Sequence, residues 1–88
     1  MTYHVELTDT AKKQLKKMDK HTAALLTGWM RKNLEGCENP RVFGKGLTAN
    51  RSGQWRYRIG DYRLIAEIED DMIVILILSI SHRRDIYS

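Results

Sequence analysis

The sequence predicts an α+β fold in which two N-terminal helices pack on one face of a small antiparallel sheet, in the order β-α-α-β-β-β. Three observations predict it. The first is the run Ile73-Val74-Ile75-Leu76-Ile77-Leu78. It has the β-branched content of a buried strand and is far too short to cross a bilayer as a helix. The second is a pair of helical periodicities between about residues 9 and 34, each with a capping residue before it. The third is Gly60-Asp61, set between two alternating segments, which marks a two-residue hairpin turn. At 88 residues the chain is one domain, 1–88, with room for a single modest core.

Tyr3, Val5 and Leu7 alternate with Thr2, His4 and Glu6, the pattern of a short half-buried strand that joins the sheet. Thr8 or Asp9 caps a first helix with Ala11, Leu15 and Met18 on its inner stripe. Lys12, Lys13, Lys16, Lys17 and Lys20 cover the rest, either as a solvated face or as a basic ridge lying along nucleic acid. Asp19 caps a second helix reaching about Leu34. Ala23, Leu26, Met30 and Leu34 share one face of it, widened by Leu25 and Trp29, and Gly36 suits its stop. From Gly36 to Gly53 the pattern breaks into a long glycine-bearing loop carrying Arg41, Lys45 and Arg51. This loop reads as a solvated connection or as a wrap for a phosphate backbone. Strands at Gln54–Ile59, Tyr62–Ile68 and from Ile73 onward, turned at Gly60-Asp61 and Asp70-Asp71, complete an antiparallel meander.

Composition narrows the function classes. Fifteen Lys and Arg against eleven Asp and Glu give a net charge of +4, a balance that suits a polyanionic partner. The single Cys37 excludes an internal disulfide, and one Cys with three scattered His makes no zinc framework. No metal site and no cofactor are expected. Residues 1–6 lack the basic and apolar regions of a signal peptide, so the chain is expected to be cytoplasmic, with no membrane partner. Asn50-Arg51-Ser52 is then no glycosylation site.

The chemistry collects on the hairpin. A turn at Gly60-Asp61 sets Ile59 opposite Tyr62, Arg58 opposite Arg63, Tyr57 opposite Leu64 and Arg56 opposite Ile65. Alternation then puts Trp55, Tyr57, Ile59, Tyr62, Leu64, Ala66 and Ile68 on the face toward the helices, and Arg56, Arg58, Arg63 and Glu67 on the other. Like charges opposed on a sheet cost up to about 1 kcal/mol, so three guanidiniums gathered on so small a face suggest an anion site. Glu67 or another carboxylate would neutralise them if the cluster were structural. In the last strand, alternation groups Ile73, Ile75, Ile77, Ser79, Ser81 and Arg83 against Val74, Leu76, Leu78, Ile80 and His82. If the second group meets the helices, Arg83 emerges on the arginine side, and Tyr87 follows four residues later. Guanidinium forks bind phosphate and a phenol stacks on a base, a combination that suits RNA.

Trp55-Arg56-Tyr57-Arg58-Ile59-Gly60-Asp61-Tyr62-Arg63-Leu64, followed by Ser81-His82-Arg83-Arg84-Asp85-Ile86-Tyr87, resembles the RelE/ParE toxin superfamily, and more narrowly its RelE-type mRNA interferases from type II toxin–antitoxin pairs. The resemblance extends over almost the whole chain. It implies ribosome-dependent cleavage of mRNA in the A site, in which the RNA's own 2′-OH attacks the adjacent phosphate. On it, the catalytic set falls on Arg58, Arg63, Arg83 and Tyr87, with His82 as a candidate general base. RNA-binding positions fall on Arg56, Lys45, Arg51, Arg84, Lys13 and Lys17. The implied partners are a RelB-like antitoxin, acidic and helical, the ribosome with its RNA, and mRNA. Operator DNA is reached only through the antitoxin complex. Two departures stand out. Arg56 and Arg58 occupy positions where the best-known member has lysines, and Arg stays charged, which makes it a poor proton acceptor. At His82, beside Arg83, many relatives have histidine and the best-known member does not; histidine as a residue type suits general-base work, but alternation turns His82 toward the helix side unless the strand has ended. Alternatives are a ParE-type toxin that inhibits gyrase and a non-catalytic nucleic-acid-binding module.

Overall fold

The computed structural model describes residues 1–46 and 54–83. Its elements are β1 (His4–Leu7), α1 (Asp9–Lys17), α2 (Lys20–Asn33), β2 (Lys45–Gly46), β3 (Gln54–Ile59), β4 (Tyr62–Glu69) and β5 (Val74–His82). The strands form one sheet in the order β1-β5-β4-β3-β2. Both helices lie on one of its faces, so the α+β reading holds. From β2 to β5 the sheet is antiparallel, as expected, but β1 joins β5 in parallel and makes the sheet mixed. Alternation in β1 foretold which residues face the core; it carries no information on strand direction.

The helix ends follow local chemistry. The Thr8 hydroxyl accepts the Ala11 amide at 3.2 Å and donates to the Leu78 carbonyl at 2.8 Å, fastening the start of α1 to β5. The Asp19 carboxylate takes the amide and the hydroxyl of Thr22 at 3.0 and 2.6 Å and starts α2. Gly36, at φ +80°, turns the chain after α2 into a conformation open to glycine. The Gly36 amide and the Cys37 carbonyl then bond to Tyr3, along the outer side of β1. Leu26 of α2 and Leu34 at its C-terminal cap are fully buried with Tyr57, Leu64, Ile75 and Ile77 of the sheet, which is where the core sits. Trp29 packs against this core, while Leu25 stays largely exposed.

The hairpin register is the expected one throughout: Ile59 pairs with Tyr62, Arg58 with Arg63, Tyr57 with Leu64 and Arg56 with Ile65. Gly60 takes φ +58° and Asp61 does not take a positive φ, which is the signature of a type II′ turn. Two features depart from the sequence reading. Ile73 lies in the turn before β5 at φ +52°, an unfavourable setting for a β-branched residue. Its carbonyl accepts the His4 amide at 2.9 Å, so the strained residue begins the β1–β5 pairing.

The second departure is a β-bulge. Ile65 pairs with Ser79 but Ala66 pairs with Ile77, so β5 carries one extra residue, Leu78, at that point. Strict alternation would set Ile75 and Ile77 on the opposite face from Ile80 and His82. The bulge restores them to one face: Ile75 and Ile77 pack in the core beside Ile68 and Ala66, and Ile80 and His82 sit beside Leu64 and Tyr62. Val74 and Leu76 therefore lie on the open face, contrary to the alternation reading. Ser79 and Ser81 lie on the arginine side, as that reading had them.

Candidate functional site

The open face of the sheet carries Lys45 from β2, Arg56 and Arg58 from β3, and Arg63 from β4. Lys45 stands directly opposite Arg56, and Arg58 directly opposite Arg63. With Gly44 these four line a shallow cleft of about 240 Å³. Arg56 and Arg63 are half-buried and Arg58 is exposed. Among the described residues, none of the four basic groups has a carboxylate within salt-bridge distance. Glu67 lies on the same face, opposite Gln54, and does not pair with the cluster. Each guanidinium projects from a strand whose other face is buried, so its base is held by the core. Basic groups gathered in one cleft, with no carboxylate partner among the described residues, form an anion-binding arrangement.

Glycine makes the cleft possible. Gly44 has φ +76°, and a Cβ there would stand 2.2 Å from the Arg56 carbonyl oxygen; a Cβ on Gly46 would press on the Trp55 ring at 3.1 Å. The main chain at Gly44 thus lies closer to β3 than any side chain allows, and at Gly46 a side chain would fit only if the Trp55 ring gave way slightly. The pattern Gly44-Lys45-Gly46 was the available signal for β2, which the sequence reading treated as loop.

Arg41 belongs to a different structure. Its fork donates to both carboxylate oxygens of Asp70, at 3.1 and 2.9 Å, and the Tyr3 hydroxyl donates to the same carboxylate at 2.6 Å. It is therefore not free to wrap a phosphate backbone in the way the loop reading allowed. These contacts hold the Asp70 carboxyl below its ordinary range, the Arg41 fork acting most and the Tyr3 hydroxyl next. The Glu35 carboxyl is held low by the Val5 amide and then by His4, and that of Asp19 by the hydroxyl and then the amide of Thr22.

These carboxyls set a pH dependence. In each case the folded-state pKa lies below the unfolded value, so the stabilisation is complete above the ordinary carboxylate range, near pH 4, and is lost as pH falls through the lower folded-state values. The urea midpoint should stay level from neutrality to about pH 5 and decline modestly below about pH 4, because these carboxyls are largely exposed and screened, with a slightly smaller decline in Asp70→Asn. Urea titrations across that range check this, and a midpoint that stayed level to about pH 2 would contradict it.

The remaining residues expected in the site are spread more widely. Arg83 follows β5 at the end of the sheet that holds Arg58 and Arg63. Its amide donates to the Asp61 carbonyl of the hairpin turn at 2.6 Å, and its side chain is not part of the cleft lining. His82 pairs with Tyr62, the two rings meeting edge to face at 4.8 Å between centroids. It therefore lies on the sheet face away from the arginines. Lys13 and Lys17 are exposed on α1, across the sheet from the cleft. Arg51, Arg84 and Tyr87 lie outside the described residues.

The described residues contain no cluster of His, Cys, Asp and Glu able to hold a metal ion, and no helix long and apolar enough to cross a membrane.

The comparisons with known proteins agree with this fold. Residues 5–87 match the family model described as the ParE toxin of the type II toxin–antitoxin system parDE. The chain is 33% identical over 87 residues to Toxin RelG of Mycobacterium tuberculosis, covering 99% of this chain and 98% of that protein. It superposes on a chain of the toxin–antitoxin complex RelBE2 of the same organism with a TM-score of 0.82 at 30% identity, covering 94% of this chain and 93% of that one. On a chain of the archaeal RelE–RelB complex of Pyrococcus horikoshii the TM-score is 0.71 at 29% identity, covering 94% and 97%. With the family model spanning nearly the whole chain and relatives of RelE type matching end to end, the chain belongs to the RelE/ParE superfamily and is a RelE-type toxin of a type II toxin–antitoxin system.

Proposed function

We propose that this toxin is an endoribonuclease that cleaves mRNA in the ribosomal A site and so stops translation. The observation that carries the reading is the cleft of Lys45, Arg56, Arg58 and Arg63, four cations with no carboxylate partner among the described residues, set on a rigid sheet.

In the proposed reaction the 2′-hydroxyl of one nucleotide loses its proton as its oxygen bonds to the adjacent phosphorus. The bond from phosphorus to the 5′-oxygen of the next nucleotide breaks, and that oxygen takes up a proton. The products are a 2′,3′-cyclic phosphate and a 5′-hydroxyl end. Negative charge grows on the equatorial phosphate oxygens, and guanidiniums already in place stabilise it without reorganising. Arg58 and Arg63 meet the phosphate undergoing attack. Lys45 and Arg56 hold a neighbouring phosphate, and Arg83 approaches from the end of β5. His82 faces Tyr62 rather than the cleft, so proton transfer falls to Tyr87 or to the ribosome, and His82 acts as a base only if the end of β5 rearranges. Tyr87 also supplies a ring for base stacking.

The partner that restrains the toxin is a RelB-like antitoxin. Two of the superposed structures are complexes of RelE-type toxins with RelB antitoxins. An acidic segment laid over the open face would neutralise the cleft, and its binding would weaken as salt rises.

A second reading has a specific observation behind it: the matching family model is that of ParE, and on that reading the chain inhibits DNA gyrase. Primer extension on a translated message, run beside a gyrase supercoiling assay, separates the two. The proposal expects new 5′ ends within codons soon after induction and unaltered supercoiling. Intact message with blocked supercoiling would overturn it.

A further inference from the structure

Lys45 reaches the cleft on a strand of only two residues, and a pairing that short does not hold itself in place. The segment leading into it, residues 39–46, is tied down at several points. The buried Tyr57 hydroxyl donates to the Pro40 carbonyl at 2.6 Å, and the Trp55 indole N–H donates to the Phe43 carbonyl at 2.6 Å. The Phe43 ring meets Trp29 edge to face at 5.7 Å. These anchors grip the segment from the helix side of β3. The remaining one comes from elsewhere: Arg41 is clasped in bidentate fashion by Asp70, at the turn between β4 and β5, and Tyr3 orients the same carboxylate.

This clasp is partly open to solvent, at 38% and 54% side-chain exposure. A pair so exposed adds little to global stability. Its geometry is nonetheless specific, with both guanidinium donors and a phenol converging on one carboxylate. It also joins two loops that no strand pairing joins.

We infer that Asp70 is a positioning residue for the phosphate cleft: by clasping Arg41 it sets the segment that carries Gly44 and Lys45 alongside Arg56. The inference rests on the reading of the cleft as an RNA phosphate site and identifies what holds its fourth cation in place. Without the clasp, the segment keeps its anchors on Trp55 and Tyr57 but loses the one that fixes it toward the β4–β5 turn, and Lys45 moves relative to Arg56.

The sign of the effect sets positioning apart from simple charge. Asp70→Asn removes a negative charge and frees a guanidinium, so charge alone makes the variant bind RNA more tightly. Positioning makes it bind more weakly. The test measures binding of the purified toxin to a short 2′-O-methylated oligoribonucleotide, which cannot be cleaved, as a function of salt. Lys45→Ala should weaken binding roughly three- to tenfold and lower the salt slope by about 0.7, the share of one phosphate contact on a single strand. Asp70→Asn should weaken binding to a similar extent, and the double variant should bind no more weakly than either single one. Asp70→Glu, which keeps the carboxylate, should restore most of the affinity.

Asp70→Asn binding as tightly as the unsubstituted chain or more tightly, or Lys45→Ala costing the same with and without Asp70, would overturn the inference while leaving the cleft reading intact. Arg58→Ala and Arg63→Ala in the same assay test that reading separately. Unchanged affinity in both would remove the cleft as the RNA site, and the inference with it.

Discussion

Arg63→Ala is expected to abolish growth inhibition at expression levels where the unsubstituted toxin arrests cells, and to do so without loss of fold. Arg63 stands opposite Arg58 on one side and Ser81 on the other, half-buried on the open face. In the proposed mechanism its guanidinium meets the growing charge on the attacked phosphate, and removing one such preorganised group costs about a hundred- to a thousandfold in rate. The stability side runs the other way. Taking away one of two opposed arginines relieves up to about 1 kcal/mol of repulsion, set against the packing of the arginine stem on the sheet. The urea midpoint should therefore hold or rise slightly. Arg83→Ala is expected to have the same phenotype from the end of β5. Cell growth after induction, with expression matched by immunoblot, reads the first effect, and urea titration reads the second. Toxicity retained by both variants would remove these arginines from the site.

The hairpin was legible because one dipeptide decides it. Gly60 alone accepts the positive φ of a type II′ turn, and once the turn is placed every pair from Ile59–Tyr62 to Arg56–Ile65 follows. Three arginines on one face were therefore predictable without coordinates. The caps at Thr8 and Asp19 and the stop at Gly36 were legible for the same reason: the chemistry is local. The bulge at Leu78 was not. The run from Ile73 to Leu78 is apolar on both faces, so it contains no polar marker to show where the alternation slips. β2 was missed because two residues have no period, and only the glycines flanking Lys45 hint at it. The Arg41–Asp70 clasp joins residues 29 apart in sequence, across loops whose mutual placement only the folded sheet defines. His82 is the instructive intermediate case. Alternation alone turned it toward the helix side, and the bulge, by shifting Ile75 and Ile77, left that assignment intact.

The central claim is that the chemistry belongs to the toxin and the geometry to the ribosome. The cleft is shallow, and its four cations stabilise charge but do not by themselves hold a flexible strand with its 2′-oxygen in line for attack. Positioning of that kind is worth several kcal/mol, up to about 11, and in the proposed function the A site supplies it by holding the message. Lys13 and Lys17, across the sheet from the cleft, are free to meet ribosomal RNA, and reversing their charge should slow only the ribosome-dependent reaction. The most direct measurement is single-turnover cleavage of one message, free in solution and on programmed ribosomes with an empty A site, at equal toxin concentration. The account predicts that the ribosome accelerates cleavage by orders of magnitude. Equal rates on free and ribosome-bound message would contradict it and identify the chain as a free-standing ribonuclease.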